Sequence, residues 1–280
     1  FESDSSQNNV SIIKMNASVT KAINLLEELS RARKPLALKD LARNVNLDKA
    51  TAYRLLNSLR QKGFVQRLDD GGSYGLGPKL LVLAEDYRRC FTMRDAVVPY
   101  LEQLVQVTGE TAIYCERFQY DSCVTIERRE SPHHTRTVIE TGVPRPLYVG
   151  SSAFAILAAL PQEEILSILN VKNFEKFTPF TITSPKQILK KIEEVKRRGY
   201  AVSIQERYSY TAGIAAPCFL SRDLVGSIAV IGPAERIRAN GIEKTGKIVK
   251  KLAEGLSTTV GYSKEPQSSD ASGKRLRMIK

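Results

Sequence analysis

The chain is poor in side chains that bind metals or form disulfides. Its 280 residues include no Trp and two adjacent His, and its four Cys (Cys90, Cys115, Cys123 and Cys218) form no C-x-x-C pair. Adjacent histidines without suitably spaced thiols or carboxylates make a poor metal site, so we predict no metal and no cofactor. Scattered cysteines are typical of a reducing compartment, which predicts a cytoplasmic protein.

Long apolar runs and enzyme motifs are absent as well. A helix that spans a bilayer needs about 20 apolar residues, whereas the longest run here lies near Ala153–Leu160. We therefore expect no membrane partner. The sequence also contains no Gly-x-Ser-x-Gly turn, nucleotide-binding glycine loop or dinucleotide fingerprint. These absences predict that the protein is not an enzyme.

Residues 38–76 carry the pattern of a winged helix-turn-helix. A short helix around Lys39–Val45 precedes a turn and Asp48, whose carboxylate can accept the free amide protons of the next helix. That helix stops at Gly63, and strand-like runs at 64–67 and 74–76 flank a turn rich in Asp and Gly. This order of elements predicts a DNA-binding domain whose second helix enters the major groove.

The second helix has one apolar and one polar face. Ala52, Leu55, Leu56 and Leu59 form the apolar stripe. The opposite face carries basic, hydroxyl and amide groups, which suit contacts to phosphates and base edges. Together with basic residues nearby, this face gives the predicted DNA-binding set: Lys39, Lys49, Ala50, Thr51, Tyr53, Arg54, Asn57, Arg67 and Lys79.

Positive charge is concentrated in the same region. Residues 18–80 hold 12 Lys and Arg against 6 Asp and Glu. The net charge of this segment is therefore +6, which is half of the chain's net charge of +12. A basic domain attracts the phosphate backbone and gains affinity by releasing its counterions. Any one of these basic residues could simply be solvent-exposed without binding DNA. The order of the elements favours DNA binding.

Beyond residue 110 the pattern changes to β-branched, alternating runs mixed with helices. We predict strands at 112–117, 122–128, 137–141, 200–203, 213–220 and 224–231, and helices at 152–160, 162–169, 185–198 and 241–262. The predicted fold class is α+β, with an N-terminal winged helix-turn-helix and a C-terminal mixed α/β effector domain.

We expect five segments. Residues 1–17 form a flexible N-terminus, 18–77 the winged helix-turn-helix, 78–91 a linker helix, 92–262 the effector domain, and 263–280 a disordered basic tail. The first helix of the DNA-binding domain, predicted at 18–33, has a candidate core stripe of Val19, Ala22, Ile23, Leu26 and Leu29. The linker helix has an apolar side that predicts a homodimer: Leu80, Leu81, Ala84 and Tyr87.

Short motifs follow one another in a fixed order along the chain. They include Thr51-x-x-Arg54-Leu55-Leu56, Gly63-Phe64-Val65, Thr108-Gly109-Glu110-Thr111, Gly142-x-x-x-Pro146-Leu147 and Ala215-Ala216-Pro217. In this order they resemble the isocitrate lyase regulator (IclR) family of bacterial transcription regulators over about residues 17–262. The resemblance implies a GAF-like effector domain, and dimers or tetramers on pseudo-palindromic DNA operators.

The resemblance also implies where a ligand binds. The site would lie between the turn after residue 149 and three strands, and it comprises Gly150, Ser151, Ser152, Ser203, Thr211, Gly213, Ala229 and Ile231. Many family members have Cys at the position of Gly213 and hydroxyl residues near Ala229 and Ile231. These departures predict an effector larger or less polar than a two- or three-carbon acid, and a filled core is the alternative.

The sequence thus predicts a DNA-binding transcriptional regulator. Its partners would be a double-stranded DNA operator, a small-molecule effector that modulates operator binding, and a second copy of itself. Two alternatives remain open at this stage. One is a winged-helix domain fused to an enzymatic domain, and the other is an architectural DNA-binding protein without a ligand.

Overall fold

The computed structural model describes residues 16–68, 72–90, 93–170, 174–220 and 225–261. Contacts divide the chain into two compact units, with the boundary between Phe91 and Thr92. Each unit has its own secondary structure and its own core.

The first unit combines helices with a small antiparallel sheet. Its elements are α1 (Ala17–Ala32), β1 (Leu36–Ala37), α2 (Leu38–Asn44), α3 (Lys49–Gln61), β2 (Val65–Arg67), β3 (Ser73–Leu76) and α4 (Lys79–Cys90). The strand order is β1-β3-β2, so that Tyr74 lies between Leu36 and Arg67. Helices and sheet share a core of Leu25, Leu29, Leu41, Leu56, Val65 and Tyr74. The predicted winged helix-turn-helix is confirmed.

The predicted core stripe of α1 is partly wrong. Leu29 is buried, but Val19 and Ile23 are 55% and 48% exposed, and Leu25 is buried instead. Glu28 is buried too, because its carboxylate accepts hydrogen bonds from Asn44 Nδ2 at 2.7 Å and from Arg31 Nη1 at 2.6 Å. The buried face of α1 is therefore the side that carries Leu25 and Glu28.

The second unit is built on one six-stranded antiparallel sheet. Its elements are α5 (Met93–Thr108), β4 (Thr111–Phe118), β5 (Ser122–Arg129), β6 (Pro144–Pro146), α6 (Ser151–Ala159), α7 (Gln162–Leu169), α8 (Pro185–Arg198), β7 (Ala201–Ile204), β8 (Thr211–Phe219), β9 (Val225–Pro233), α9 (Ala234–Ala239) and α10 (Ile242–Thr259). The strand order is β6-β5-β4-β9-β8-β7. The predicted α+β class is confirmed.

Helices cover this sheet. The strand residues Ile113, Ala215 and Ala229 pack in one core with apolar residues of α6, α7 and α8. Helices α5 and α10 contact each other and the same sheet. Helix α6 is buried from Ser151 to Ala158, and no charged residue occurs in it. This helix therefore lies inside the unit, and its first turn stands beside β7, β8 and β9.

The predicted strand at 137–141 is wrong, since these residues form no strand. The carbonyl of Thr137 instead accepts from Thr111 Oγ1 at 2.9 Å, and that of Ile139 accepts from Arg128. These side-chain partners are distant in the sequence, so sequence neighbours do not reveal them. Residues 144–146, which are not among the predicted strands, form the edge strand β6.

Candidate nucleic-acid interface and ligand cavity

Helix α3 begins at a side-chain cap and buries one face. Asp48 Oδ1 accepts the backbone N–H of Thr51 at 2.8 Å. This hydrogen bond stabilises the carboxylate and lowers the pKa of Asp48 below its ordinary value. Ala52 and Leu56 are fully buried. The cap and the buried stripe together fix which side of α3 faces away from the core.

The outward side of α3 is basic and open. Lys49, Ala50, Tyr53 and Arg54 are exposed, and Thr51 and Asn57 are half-buried. Within the described part of the chain, the Arg54 side chain has no ion pair or hydrogen bond. Its guanidinium donors are therefore available to a partner with acceptors, such as a phosphate or a guanine edge.

The other three predicted DNA-binding residues lie on other elements of the first unit. Lys39 is in α2, Arg67 in β2 and Lys79 at the start of α4, and all three are exposed. The backbone N–H of Lys79 donates to the carbonyl of Gly63 at 3.1 Å. A Cβ on Gly77 would lie 2.2 Å from the same carbonyl oxygen, so only glycine permits this approach. The start of α4 is thereby fixed to the end of α3.

A cavity of about 50 Å³ lies in the second unit, at the first turn of α6. Seven of the eight predicted ligand residues line it: Gly150, Ser151, Ser152, Ser203, Thr211, Gly213 and Ile231. Ala229 does not line the cavity, because it pairs with Ala215 and its side chain packs in the core on α6. The structure thus brings together the predicted turn and strand ends, with one exception.

Glycines shape the turn that leads into α6. Gly150 has φ 90° and ψ 157°, a conformation that only glycine adopts readily, and it provides no side chain to cap the helix. The first amide protons of α6 therefore have no side-chain acceptor and carry the positive end of the helix dipole. A Cβ on Gly213 would lie 2.5 Å from Ser151 Oγ, so the strand approaches this turn closely.

Buried donors without partners occur at this cavity. Four buried side-chain atoms of the described residues lack a hydrogen-bond partner: Ser152 Oγ, Glu206 Oε2, Arg207 Nε and Arg207 Nη1. Ser152 and Arg207 line the cavity. The Arg207 guanidinium carbon lies 3.9 Å from the ring centroid of Phe177. An unpaired buried donor costs about 1–3 kcal/mol, and more when it is charged, so the donors of Ser152 and Arg207 are suited to a ligand with acceptor oxygens.

The charge of the cavity wall is positive. Arg145 lines the cavity with Arg207, and no Asp or Glu is among the described lining residues. Arg145 Nη2 also donates to Thr125 Oγ1 at 2.5 Å. Burial and the neighbouring Cys115 raise the pKa of the Cys123 thiol well above its ordinary value, so this lining thiol stays neutral at physiological pH. The wall therefore has two cations and no anion.

Sequence reasoning missed both arginines. Arg145 lies in a Pro-Arg-Pro run and Arg207 in the loop between β7 and β8, and neither belongs to a motif that predicts a site. In the described parts of the chain, no group of His, Cys, Asp and Glu residues could hold a metal ion. No helix among the same residues is long and apolar enough to cross a membrane.

Both units match models of known protein families. Residues 18–69 match the IclR helix-turn-helix domain, and residues 89–258 match the C-terminal domain of bacterial IclR transcriptional regulators. The chain is 29% identical to the HTH-type transcriptional regulator KipR of Bacillus subtilis, over 89% of this chain and 98% of KipR. It is 26% identical to the transcriptional repressor IclR of Escherichia coli, over 87% and 90% of the two chains.

A solved structure shares the fold. An IclR transcriptional regulator from Alicyclobacillus acidocaldarius superposes with a TM-score of 0.76 at 25% identity, covering 89% of this chain and 100% of that one. These relatives are named as transcription regulators and not as enzymes. The alternative of an enzymatic domain is therefore wrong, since the second unit matches a regulator domain.

Proposed function

The chain belongs to the IclR family of bacterial transcriptional regulators, and we propose that its operator binding is controlled by an anionic effector. The DNA-binding domain is the first unit, and the effector-binding domain is the second. The observation that carries the proposal is the pair of cations on the cavity wall, together with the unpartnered buried donors of Arg207 and Ser152. Such a protein acts in the cytoplasm, where its DNA is.

A carboxylate matches this set of donors. Arg207 Nε and Nη1 are unpaired donors of one cationic guanidinium, and a carboxylate oxygen accepts a strong, charge-assisted hydrogen bond from such a donor. Ser152 Oγ and the uncapped first turn of α6 supply further donors. The predicted preference for a less polar effector rested partly on Ala229, which does not line the cavity.

The test compares acids with their neutral amides. We expect lactate or benzoate to bind the full-length protein at least about tenfold more tightly than lactamide or benzamide, because only the acids have a charge for Arg207. Isothermal titration calorimetry measures the affinities, and anisotropy of labelled operator DNA measures the effect on DNA binding. Equal affinity for acids and amides, or binding of neither, would reject the anionic effector.

For the DNA interface we propose that α3 enters the major groove and that Arg54 contacts a base there. Lys39, Lys49, Ala50, Thr51, Tyr53, Asn57, Arg67 and Lys79 complete the proposed contact set. Arg54 is exposed, unpaired within the described residues and one turn from the capped start of the helix. The basic character of residues 18–80 provides the sequence-independent part of the affinity.

Arg54→Ala is expected to weaken binding to an operator, selected from random-sequence DNA, by about 5- to 150-fold. The loss comes from a bidentate contact to a guanine edge, so one position of the selected sequence should become permissive. Fluorescence anisotropy over a salt series checks this. Arg60→Ala, an exposed change near the end of α3, is the control and should have little effect on base preference. An equal loss on all sequences would assign Arg54 to phosphate instead.

We also propose that the protein binds a pseudo-palindromic operator as a dimer or a tetramer, with α4 in the interface. Four apolar side chains of α4 are exposed in the isolated chain: Leu81 (69%), Val82 (48%), Leu83 (42%) and Tyr87 (48%). Several exposed apolar side chains on one short helix indicate an interaction site. Two linked half-site contacts raise operator affinity through effective concentration.

Leu81→Glu should shift the protein toward monomer and reduce operator affinity, because it places a charge in the apolar surface of α4. Sedimentation velocity at micromolar concentration measures the change. Val138→Glu alters an exposed apolar residue of the second unit (56%) and serves as the control. A monomeric wild-type protein, or a Leu81→Glu variant with unchanged assembly, would show that α4 is covered in another way.

A further inference from the structure

The loop that carries Arg207 is held in place by a buried ion pair one residue earlier. Glu206 Oε1 accepts a hydrogen bond from Lys191 Nζ of α8, and the two side chains are only 9% and 12% exposed. Lys191 Nζ also lies 4.1 Å from the ring centroid of Phe154, a fully buried residue of α6. The pair therefore connects the loop, α8 and the helix whose first turn lines the cavity.

Hydroxyl groups hold the backbone of the same loop. Thr178 Oγ1 donates to the carbonyl of Gln205 at 2.7 Å, and Thr181 Oγ1 donates to the carbonyl of Glu206 at 2.7 Å. Gln205 itself has φ 60°, a left-handed conformation that is rare for a residue other than glycine. The loop thus has a defined path, and the side chains of Glu206 and Arg207 leave it toward different partners.

Glu206 and Arg207 do not pair with each other, although both have buried atoms without partners. Glu206 Oε2 and Arg207 Nε and Nη1 lack hydrogen bonds within the described structure. A buried carboxylate next to a buried guanidinium would gain strongly from a direct contact. In this structure the carboxylate is instead directed to Lys191, and the guanidinium lies on Phe177 at the cavity wall.

We infer that Lys191 is a positioning residue for the anion site: it holds the Glu206 carboxylate away from Arg207, so that Arg207 stays available to the effector. This inference rests on the proposed anionic effector. Without a cation at position 191, the Glu206 carboxylate has no ion-pair partner among the described residues, and the unpaired guanidinium donors of Arg207 belong to the next residue in the chain. Glu206 would then compete with the effector carboxylate for the same donors.

Lys191→Met tests the inference, because methionine keeps the length and the packing on Phe154 and removes the charge. We expect the affinity for benzoate, measured by calorimetry on the full-length protein, to fall by about tenfold or more. The double variant Lys191→Met with Glu206→Gln removes the competitor as well, and it should recover affinity to within about threefold of wild type. Lys191→Arg keeps the cation and should bind like wild type.

The recovery distinguishes a positioning role from a merely structural one. If Lys191 only stabilised the fold, the double variant would bind benzoate no better than Lys191→Met. Glu206→Gln alone should also leave benzoate affinity nearly unchanged. If Lys191→Met does not fold, Lys191→Gln removes the same charge and carries the test, compared again with its double variant with Glu206→Gln. If the wild-type protein binds benzoate and Lys191→Met binds it with unchanged affinity, the inference is wrong. It is also wrong if the double variant does not recover affinity. Neither result contradicts the proposed anionic effector. A wild-type protein that binds neither benzoate nor lactate would instead overturn the proposed function.

Discussion

Replacing Arg207 with Gln is expected to weaken carboxylate binding by about 30- to 1,000-fold and to remove the effect of the acid on operator affinity. Glutamine keeps an amide group and much of the packing on Phe177, but it loses the charge and the guanidinium donors. The remaining groups are Ser152 Oγ, the first turn of α6 and Arg145, which already donates to Thr125. Calorimetry with benzoate gives the change in affinity.

Two further variants make this result specific. Arg207→Lys keeps the charge without the fork of donors, so its affinity should fall between those of wild type and Arg207→Gln. Arg197→Gln removes an exposed arginine of α8 that does not line the cavity, and it should change nothing. If Arg207→Gln binds benzoate as wild type does, the acid is held elsewhere, and Arg145 becomes the next candidate.

The largest loss of stability is expected from Glu110→Ala, at about 3 kcal/mol of unfolding free energy. The Glu110 side chain is completely buried, and both of its oxygens accept hydrogen bonds from Arg236, whose Nη2 donates at 2.8 Å. Alanine leaves Arg236 without its carboxylate and opens a cavity beside Gly232, where a Cβ would now lie 2.2 Å from Glu110 Oε2. The Arg236 side chain is 28% exposed and can recruit water, which limits the loss.

Urea denaturation of the full-length chain, followed by circular dichroism, measures this loss. The matched control is Glu102→Ala, which breaks a surface ion pair between Glu102 Oε1 and Arg129 Nε (3.2 Å). The Glu102 side chain is 60% exposed. Exposed ion pairs contribute about 0–1 kcal/mol, so the control should unfold almost like wild type. Similar losses of unfolding free energy in both variants would show that the burial of Glu110 does not determine how much its ion pair stabilises the protein.

Several features could be predicted from the sequence because they depend on neighbours in the chain. The Asp48 cap needs only an acceptor three residues before a free amide, and the structure places it there. Gly199 ends α8 in the left-handed conformation expected of a glycine after a helix. The buried stripe of α3 follows from helical spacing alone, and Ala52 and Leu56 have no exposure.

Other features depend on partners far away in the chain. The α1 helix has apolar residues on more than one side, and the choice of Leu25 over Val19 is made by contacts with other elements, including Asn44 on Glu28. Thr137 and Ile139 have the β-branched side chains typical of strands, but their carbonyls accept hydrogen bonds from side chains of β4 and β5. Arg207 reaches the cavity through a loop whose path is set by Thr178 and Thr181. No local pattern contains this information.

The two prolines of β6 have a consequence for how effector domains can assemble. Pro144 and Pro146 pair with Val124 and Ser122 at the outer edge of the six-stranded sheet. Proline has no backbone N–H, so this edge lacks two of the donors that a further strand would need for pairing. Two copies therefore cannot join at this edge to form a continuous twelve-stranded sheet. The same two prolines protect the folded domain from aggregation through this edge. Association at this edge therefore has to use side-chain surfaces rather than a hydrogen-bonded ladder.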